Sequence, residues 1–389
     1  MASLYIHIPF CEHKCIYCDF YSIAPQDASI SADELTGRFV SALKKEIALR
    51  AQDDRFQVPY GTIFFGGGTP SLLSPSSIEE VLSLLAGSFT IERGAEITLE
   101  TNPGTVDLAK LRAFRSAGVN RLSVGVQSFH DDELRFLSRI HTSREARECV
   151  QDAFKAGFEN LSLDLIFALP SQTKERWESN LRQAVELEPK HLSCYSLIVE
   201  PNTPLSRMVE SHQVSLLDVE EDARLYEQTM ECLGAFGYEQ YEVSNFARPG
   251  YESRHNSNYW NHANYLGFGP SAHSFWSAAS LGSGARRWWN VSNVVGYSER
   301  LERGSMPVAG EERLTIEQLI REEILLGLRS GGIDVAGFRR RFNGDLLSMR
   351  RSEIEALISK DMATLQDGKL RLTTKGYLVC DEICAALSD

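Results

Sequence analysis

Positive charge is scarce in this chain. Among 389 residues, 40 Lys and Arg face 53 Asp and Glu, giving a net charge of −13 and an isoelectric point near 5.3. Phosphate backbones reward a basic face, so nucleic acid is not an expected partner, and anionic lipid gains little from such a surface. Long apolar runs are missing as well. No stretch approaches the roughly 18 consecutive apolar residues of a spanning helix, which leaves peripheral contact as the open route to a membrane. No signal-peptide core is expected ahead of Cys11, because a charged region and an apolar region need more room than that. Cysteines are few: eight in 389 residues do not make the disulfide framework of a small secreted domain. Reduced thiols in the cytoplasm are the expectation.

What is present is ordinary in bulk. With 43% hydrophobic and 24% charged residues, the composition is that of a globular protein. The length is enough for one large domain with a smaller one beside it. One stretch stands apart, Tyr5-Ile-His-Ile-Pro-Phe-Cys11-Glu-His-Lys-Cys15-Ile-Tyr17-Cys18-Asp-Phe20. Its three thiols, at C-x3-C-x2-C spacing, follow a short β-branched run. Thiolates are soft ligands that select zinc, copper(I) or iron–sulfur clusters. A structural zinc site closes with four protein ligands, which would require His7 or His13 as the fourth. A cubane [4Fe–4S] cluster held by Cys11, Cys15 and Cys18 would keep one iron without a protein ligand. An open metal position is what a reaction uses and a structural site avoids.

The rest of the chain repeats a pattern of capped helix, glycine and short β-rich run. Strands are expected at 3–9, 62–65, 96–100, 121–126, 161–167 and 191–199. Between them lie helices with capping boxes at Ser31/Glu34 and Thr142/Glu145, and stop glycines at Gly118 and Gly157. Strands alternating with helices imply a parallel sheet. Six such units are too few for the closed eight-fold barrel, so the expectation is an α/β fold, a partial (β/α)6 barrel over residues 1–245. Residues 246–310 are rich in Asn, Ser, Gly, Trp and Tyr and show no clear periodicity; so long an irregular stretch in a compact protein is more often functional than idle. Residues 311–389 read as helices followed by a hairpin around Asp367-Gly368, a mostly helical, winged-helix-like unit. The acidic balance favours packing or docking over DNA binding for it.

Ligands of barrel-type βα folds sit at the C-terminal ends of the strands. There the sequence offers Gly66-Gly67-Gly68-Thr69-Pro70, whose backbone can approach a ligand closely. It also places Glu100, Gln127 and Asp164 within apolar runs. Burying such groups unpaired costs on the order of 1–3 kcal/mol each, so each needs a partner, either a ligand or the protein's own loops.

The cysteine spacing together with its flanks (Tyr-Ile-His-Ile-Pro-Phe before, Asp-Phe after) resembles the radical S-adenosylmethionine superfamily and, within it, the coproporphyrinogen-dehydrogenase-related branch. The resemblance runs over nearly the whole chain and implies the same partial barrel. It implies that S-adenosylmethionine chelates the open iron, where a reduced cluster can cleave it to a 5′-deoxyadenosyl radical. By similarity, Tyr5, Gly67 and Glu100 would contact that molecule. Tyr17, Gly68, Thr69, Gln127, Arg139 and Asp164 match positions that hold a second S-adenosylmethionine in the coproporphyrinogen dehydrogenase. The hexapeptide His255-Asn-Ser-Asn-Tyr259-Trp260 resembles the HNxxYW motif associated with heme binding in the heme-chaperone members of the branch. It points to His255 as an axial ligand, with Tyr259 and Trp260 against a porphyrin face. His273 is the alternative ligand.

Two functions follow from the resemblance. One is a heme chaperone, binding heme as cargo and passing it to an acceptor protein. The other is oxygen-independent decarboxylation of coproporphyrinogen III. The dehydrogenase carries a further cysteine two residues past the third, where this chain has Phe20, and a sizeable segment ahead of its cluster loop. Both departures, with the hexapeptide, favour the carrier.

Overall fold

A computed structural model describes residues 1–24, 31–277 and 284–388. Residues 278–283, inside the segment read as irregular, lie outside it. Six strands form the centre: β1 (Ala2–Ile8), β2 (Pro59–Gly67), β3 (Thr90–Thr101), β4 (Arg121–Gln127), β5 (Asn160–Phe167) and β6 (His191–Ser196). Each pairs in parallel with the next. All but the last residue of β4 are buried. That is why these strands read as nearly continuous apolar runs: helices cover one face and the curve of the sheet encloses the other. The helix Ala32–Arg50 shows the packing logic, its stripe Leu35, Phe39, Leu43 and Ile47 almost wholly out of solvent. Thr142 and Glu145 form the expected capping box, and Gly118 and Gly157 adopt positive φ after their helices.

The sheet does not close. Beyond β6 it continues antiparallel into two short strands, β7 (Glu239–Gln240) and β8 (Asn245–Ala247). Beyond β1 it continues into β9 (Tyr265–Phe268), β10 (His273–Ser277), β11 (Ala285–Asn290) and β12 (Val308–Leu314). The resulting order of twelve strands is β12-β11-β10-β9-β1-β2-β3-β4-β5-β6-β8-β7. The segment expected to be irregular is therefore mostly ordered: it supplies three of these strands and the helices Arg254–Trp260 and Val294–Glu302. Strands of four to six residues with aromatic or polar groups on both faces leave no period-2 signal, since each face packs on something different.

The last part of the chain has its own core, built on Ile324, Leu328, Phe338 and Ile383. Its helices surround a three-stranded antiparallel sheet of β13 (Ile333–Asp334), β14 (Ala363–Gln366) and β15 (Lys369–Leu372), with β14 and β15 forming the expected hairpin. The helix Ile316–Leu328 joins this unit to the sheet extension.

Candidate cofactor site and an adjoining aromatic cavity

The loop after β1 carries the cysteines back over the strand ends. It is pinned by the Cys11 amide on the Ile23 carbonyl at 3.0 Å and by the Ile23 amide on the Pro9 carbonyl at 2.8 Å. The glycine run at the end of β2 fits beneath it: the Gly68 amide donates to the Ile8 carbonyl at 2.8 Å and the Thr69 amide to the Phe10 carbonyl at 2.7 Å. The glycines thus permit close approach of the cluster loop itself, besides any ligand. Cys11, Cys15 and Cys18, all part-exposed, line one cavity of about 400 Å³ together with Gly67, Gly68, Thr69, Glu100, Gln127, Arg139 and Asp164. Tyr17 lines it too. The Thr69 hydroxyl donates to the Cys11 sulfur at 3.5 Å, and Arg139 Nη1 reaches the Cys15 sulfur at 3.6 Å. Burial pushes the Cys18 thiol up to about 11.

Behind the thiols lies a hydrogen-bonded frame. Asn102, between Thr101 and Pro103 at the end of β3, donates to Thr69 Oγ1 at 2.8 Å, and its Oδ1 accepts from Arg139 Nη2 at 2.6 Å. Arg139 Nη2 also donates to the Gly125 carbonyl at 2.8 Å. Glu100 accepts from the Gly67 amide at 3.1 Å, and burial, with Asp164 as a like charge nearby, raises it to about 8. Asp164 accepts from the Ser123 hydroxyl at 3.0 Å, and burial raises it as well. Gln127 holds φ at 67°, a left-handed backbone that costs a non-glycine residue and gathers at ligand sites. Asn102 and Ser123 escaped the sequence reading. The Asn-Pro pair at a strand end was the available signal for the first, and a serine within an apolar strand gave none.

Tyr5 stands apart from the other residues matched to S-adenosylmethionine. It lines a second cavity of about 710 Å³, its hydroxyl 3.1 Å from His7 Nδ1. His7 is further fixed by Nε2 on the Tyr21 carbonyl at 2.8 Å, and burial lowers its pKa to about 4. Asp19 and Phe20 line both cavities, so the cluster loop is the wall between them. The second cavity's far side is the helix Ile316–Leu328, through Leu325 and Leu326.

A radical SAM superfamily model matches residues 5–184, and a HemN C-terminal domain model matches residues 314–379. The chain is 36% identical to the heme chaperone HemW of Bacillus subtilis over 388 residues, 99% of both chains. It is 42% identical to that of Escherichia coli over 271 residues, 70% of this chain and 69% of that one. The chain belongs to the HemW family. Among solved structures, the Escherichia coli coproporphyrinogen III oxidase HemN, a radical SAM enzyme, shares the fold at TM-score 0.80 and 24% identity, over 100% of this chain and 90% of that one.

Membership of the HemW family within the radical SAM superfamily implies a [4Fe–4S] cluster and S-adenosylmethionine, and the residues fit them. Among the described residues no three His, Cys, Asp or Glu side chains converge on a point that would hold one metal ion. A cubane asks for no such convergence, since each thiolate binds a different iron. Zinc does ask for it; of the two histidines it could draw on, His7 has both nitrogens engaged, and His13 lines the cysteine cavity without making such a convergence.

The HemW-type hexapeptide lands elsewhere than a ligand role for His255 requires. Residues Arg254–Trp260 form a short helix laid against β1 and β2. His255 is 1% exposed, with Nδ1 2.8 Å from the Thr62 hydroxyl and Nε2 3.0 Å from the Tyr259 hydroxyl. Its backbone amide is held by Glu96 at 3.0 Å, its ring stacks on Phe64, and burial beside Arg121 lowers its pKa to about 3. With both nitrogens taken, ligation by His255 would require breaking one of these bonds. Tyr259 lines the aromatic cavity, whereas Trp260, half-buried, lines neither cavity.

Proposed function

We propose that this chain binds heme and hands it to an acceptor protein in the cytoplasm, with the cluster and S-adenosylmethionine in an accessory role. The observation that carries this reading is the end-to-end likeness to proteins named heme chaperone HemW. Phe20, standing where the dehydrogenase resemblance calls for a further cysteine, and the aromatic cavity beside the cluster loop support it.

Cys11, Cys15 and Cys18 would hold the cluster, leaving one iron for the amino acid moiety of S-adenosylmethionine; when bound, the pair supplies one-electron chemistry. The chain's own residues prepare the place. Glu100, raised by burial to about 8, would ionise beside a methionyl ammonium, because an opposite charge favours the carboxylate. Gly67 gives its amide to Glu100 there, with Arg139, Asn102 and Thr69 as a hydrogen-bonded polar wall.

The test is an anaerobic heme titration of cluster-reconstituted protein followed by Soret absorbance. Saturation near one heme per chain is expected. No saturable binding at micromolar protein would sink the carrier and turn attention to decarboxylation of coproporphyrinogen III.

A further inference from the structure

From the aromatic cavity we infer a porphyrin site whose iron ligand is His273, an inference that rests on the carrier reading above. Four histidines stand in or directly behind the wall of this cavity, and their environments separate them. His7 is bonded at both nitrogens by Tyr5 and Tyr21. His262 is paired with Glu322 at 2.9 Å and Glu323 at 3.7 Å. His255 lies behind Tyr259, bonded at both nitrogens. The His273 imidazole alone makes no hydrogen bond or ion pair among the described residues; its ring meets Trp289, with centroids 5.8 Å apart and planes 23° from parallel.

Strand parity explains why it faces the cavity. His273 lies opposite Trp289 and Phe275 opposite Arg287 across the β10–β11 ladder, so these four share one face. Trp276 and Trp288, of the opposite parity, turn to the other side, where they pack on Phe56. The first face looks onto Leu325 and Leu326 of the C-terminal unit. Leu325 there and Phe20 of the cluster loop keep 36% and 64% of their surface exposed, an apolar lining that no described residue covers. At about 710 Å³ the cavity falls within the roughly 300–1,000 Å³ of ligand pockets, enough for a flat macrocycle. Partial burial and then the Arg287 charge lower the imidazole's pKa against the opposing pull of Glu312, which favours the neutral form whose nitrogen lone pair can bind iron. Arg287 itself is held by Glu312 and Glu322 at 2.8 Å each and does not compete for the ligand.

The geometry gives the hexapeptide a different role: His255 is a positioning residue that fixes the Tyr259 hydroxyl from behind, while Tyr259 presents its ring to the macrocycle.

Hemin titration of the full chain tests this. Wild type should saturate near one per chain. His273→Ala should bind about tenfold more weakly with a shifted Soret band. His273→Gly should recover the wild-type band position on addition of imidazole, which a merely structural histidine would not do. His255→Phe should weaken binding by freeing the Tyr259 ring while the heme that does bind keeps the wild-type band position, and Leu326→Trp should weaken binding from the opposite wall without moving the band. A His273→Ala protein with wild-type affinity and band position would overturn the assignment while leaving the carrier reading intact, as would a shifted band position in His255→Phe together with an unshifted one in His273→Ala. Absence of saturable binding in wild type would overturn both.

Discussion

The Glu46 carboxylate accepts from the Tyr297 hydroxyl at 2.7 Å, joining the first barrel helix to the helix Val294–Glu302 of the sheet extension. The same carboxylate accepts from the Gly269 amide at 2.9 Å and Asn290 Nδ2 at 2.8 Å, and Arg50 stands 3.7 Å away. Glu46 is fully buried, and burial raises its pKa despite these donors. The group is the polar rivet between the barrel and the β-extension that carries His273.

Removing the rivet should loosen that joint more than the barrel. Glu46→Ala strands three donors and an arginine, a loss of about 3–5 kcal/mol for a broken buried pair. The thermal midpoint should fall by several degrees, with faster amide exchange in β9–β11. Glu46→Gln, which retains an acceptor oxygen, should lose less. Equal midpoints for Glu46→Ala and wild type would show that the extension is held by its apolar contacts alone.

Two sets of buried groups give stability an unusual pH profile. Glu242, 1% exposed, is raised by burial to about 7. A carboxyl whose folded pKa is raised binds more protons folded than unfolded, so stability falls as pH climbs from the ordinary 4.5 towards 7, by about 3 kcal/mol. His7, His141 and His255 are lowered to about 4, 4 and 3. Their contribution is present above the ordinary 6.5 and is lost as pH falls below it. At pH 7–8 the Glu242 penalty is fully in force, and Glu242→Gln should be more stable than wild type by on the order of 3 kcal/mol there. At pH 4.5 the two should converge. A variant no more stable at pH 8 than at pH 4.5, relative to wild type, would refute the burial cost.

Much of this was legible in the sequence because the barrel obeys local rules. Capping at Thr142/Glu145, glycine stops at 118 and 157, and apolar runs bounded by polar strand ends mark the βα units. Part of the cysteine cavity was legible because several of its lining residues lie at or next to strand ends: Gly67 and Gln127 close β2 and β4, and Glu100 is the last residue but one of β3. The β-extension was not, because its strands are short, bury different partners on each face, and join the barrel sheet through the distant pairing of β9 with β1. Tyr5 shows the limit at residue level. Burial and, after it, the nearby Glu100 charge raise its pKa, yet it lines the neighbouring cavity. Position within a strand does not tell on which side of a loop wall a side chain ends.

Arg139 should separate cluster binding from ligand binding. It bridges Asn102, Gly125 and Cys15 through two terminal nitrogens, a fork that lysine cannot reproduce. Arg139→Lys should therefore reconstitute near-normal iron while binding S-adenosylmethionine about tenfold to a hundredfold more weakly, as expected for loss of a charge-assisted bond of roughly 1.5–3 kcal/mol. Iron analysis beside equilibrium dialysis measures both. Loss of iron with unchanged affinity for the residual holoprotein would place Arg139 in cluster retention instead.

Among the three glycines of the 66–68 run, Gly68 should be the least replaceable for cluster assembly. A Cβ there would stand 2.6 Å from the Phe10 carbonyl and 3.0 Å from the Ile8 carbonyl, main-chain atoms that cannot swing aside. At Gly66 the clash is with the Phe64 and Tyr5 rings at 2.8 and 3.1 Å, which can turn. Gly67, at φ 111°, has a backbone penalty and a crowded His7 ring. Gly68→Ala should push the Cys11 segment off the end of β2, breaking the Thr69 amide bond to Phe10 and the Thr69 hydroxyl contact to the Cys11 sulfur. Reconstituted iron should fall well below the four atoms of a cubane while far-ultraviolet circular dichroism keeps its βα signature. Gly66→Ala should assemble its cluster nearly normally. Full iron loading of Gly68→Ala would mean that the cluster loop tolerates displacement, and that the glycine serves ligand approach alone.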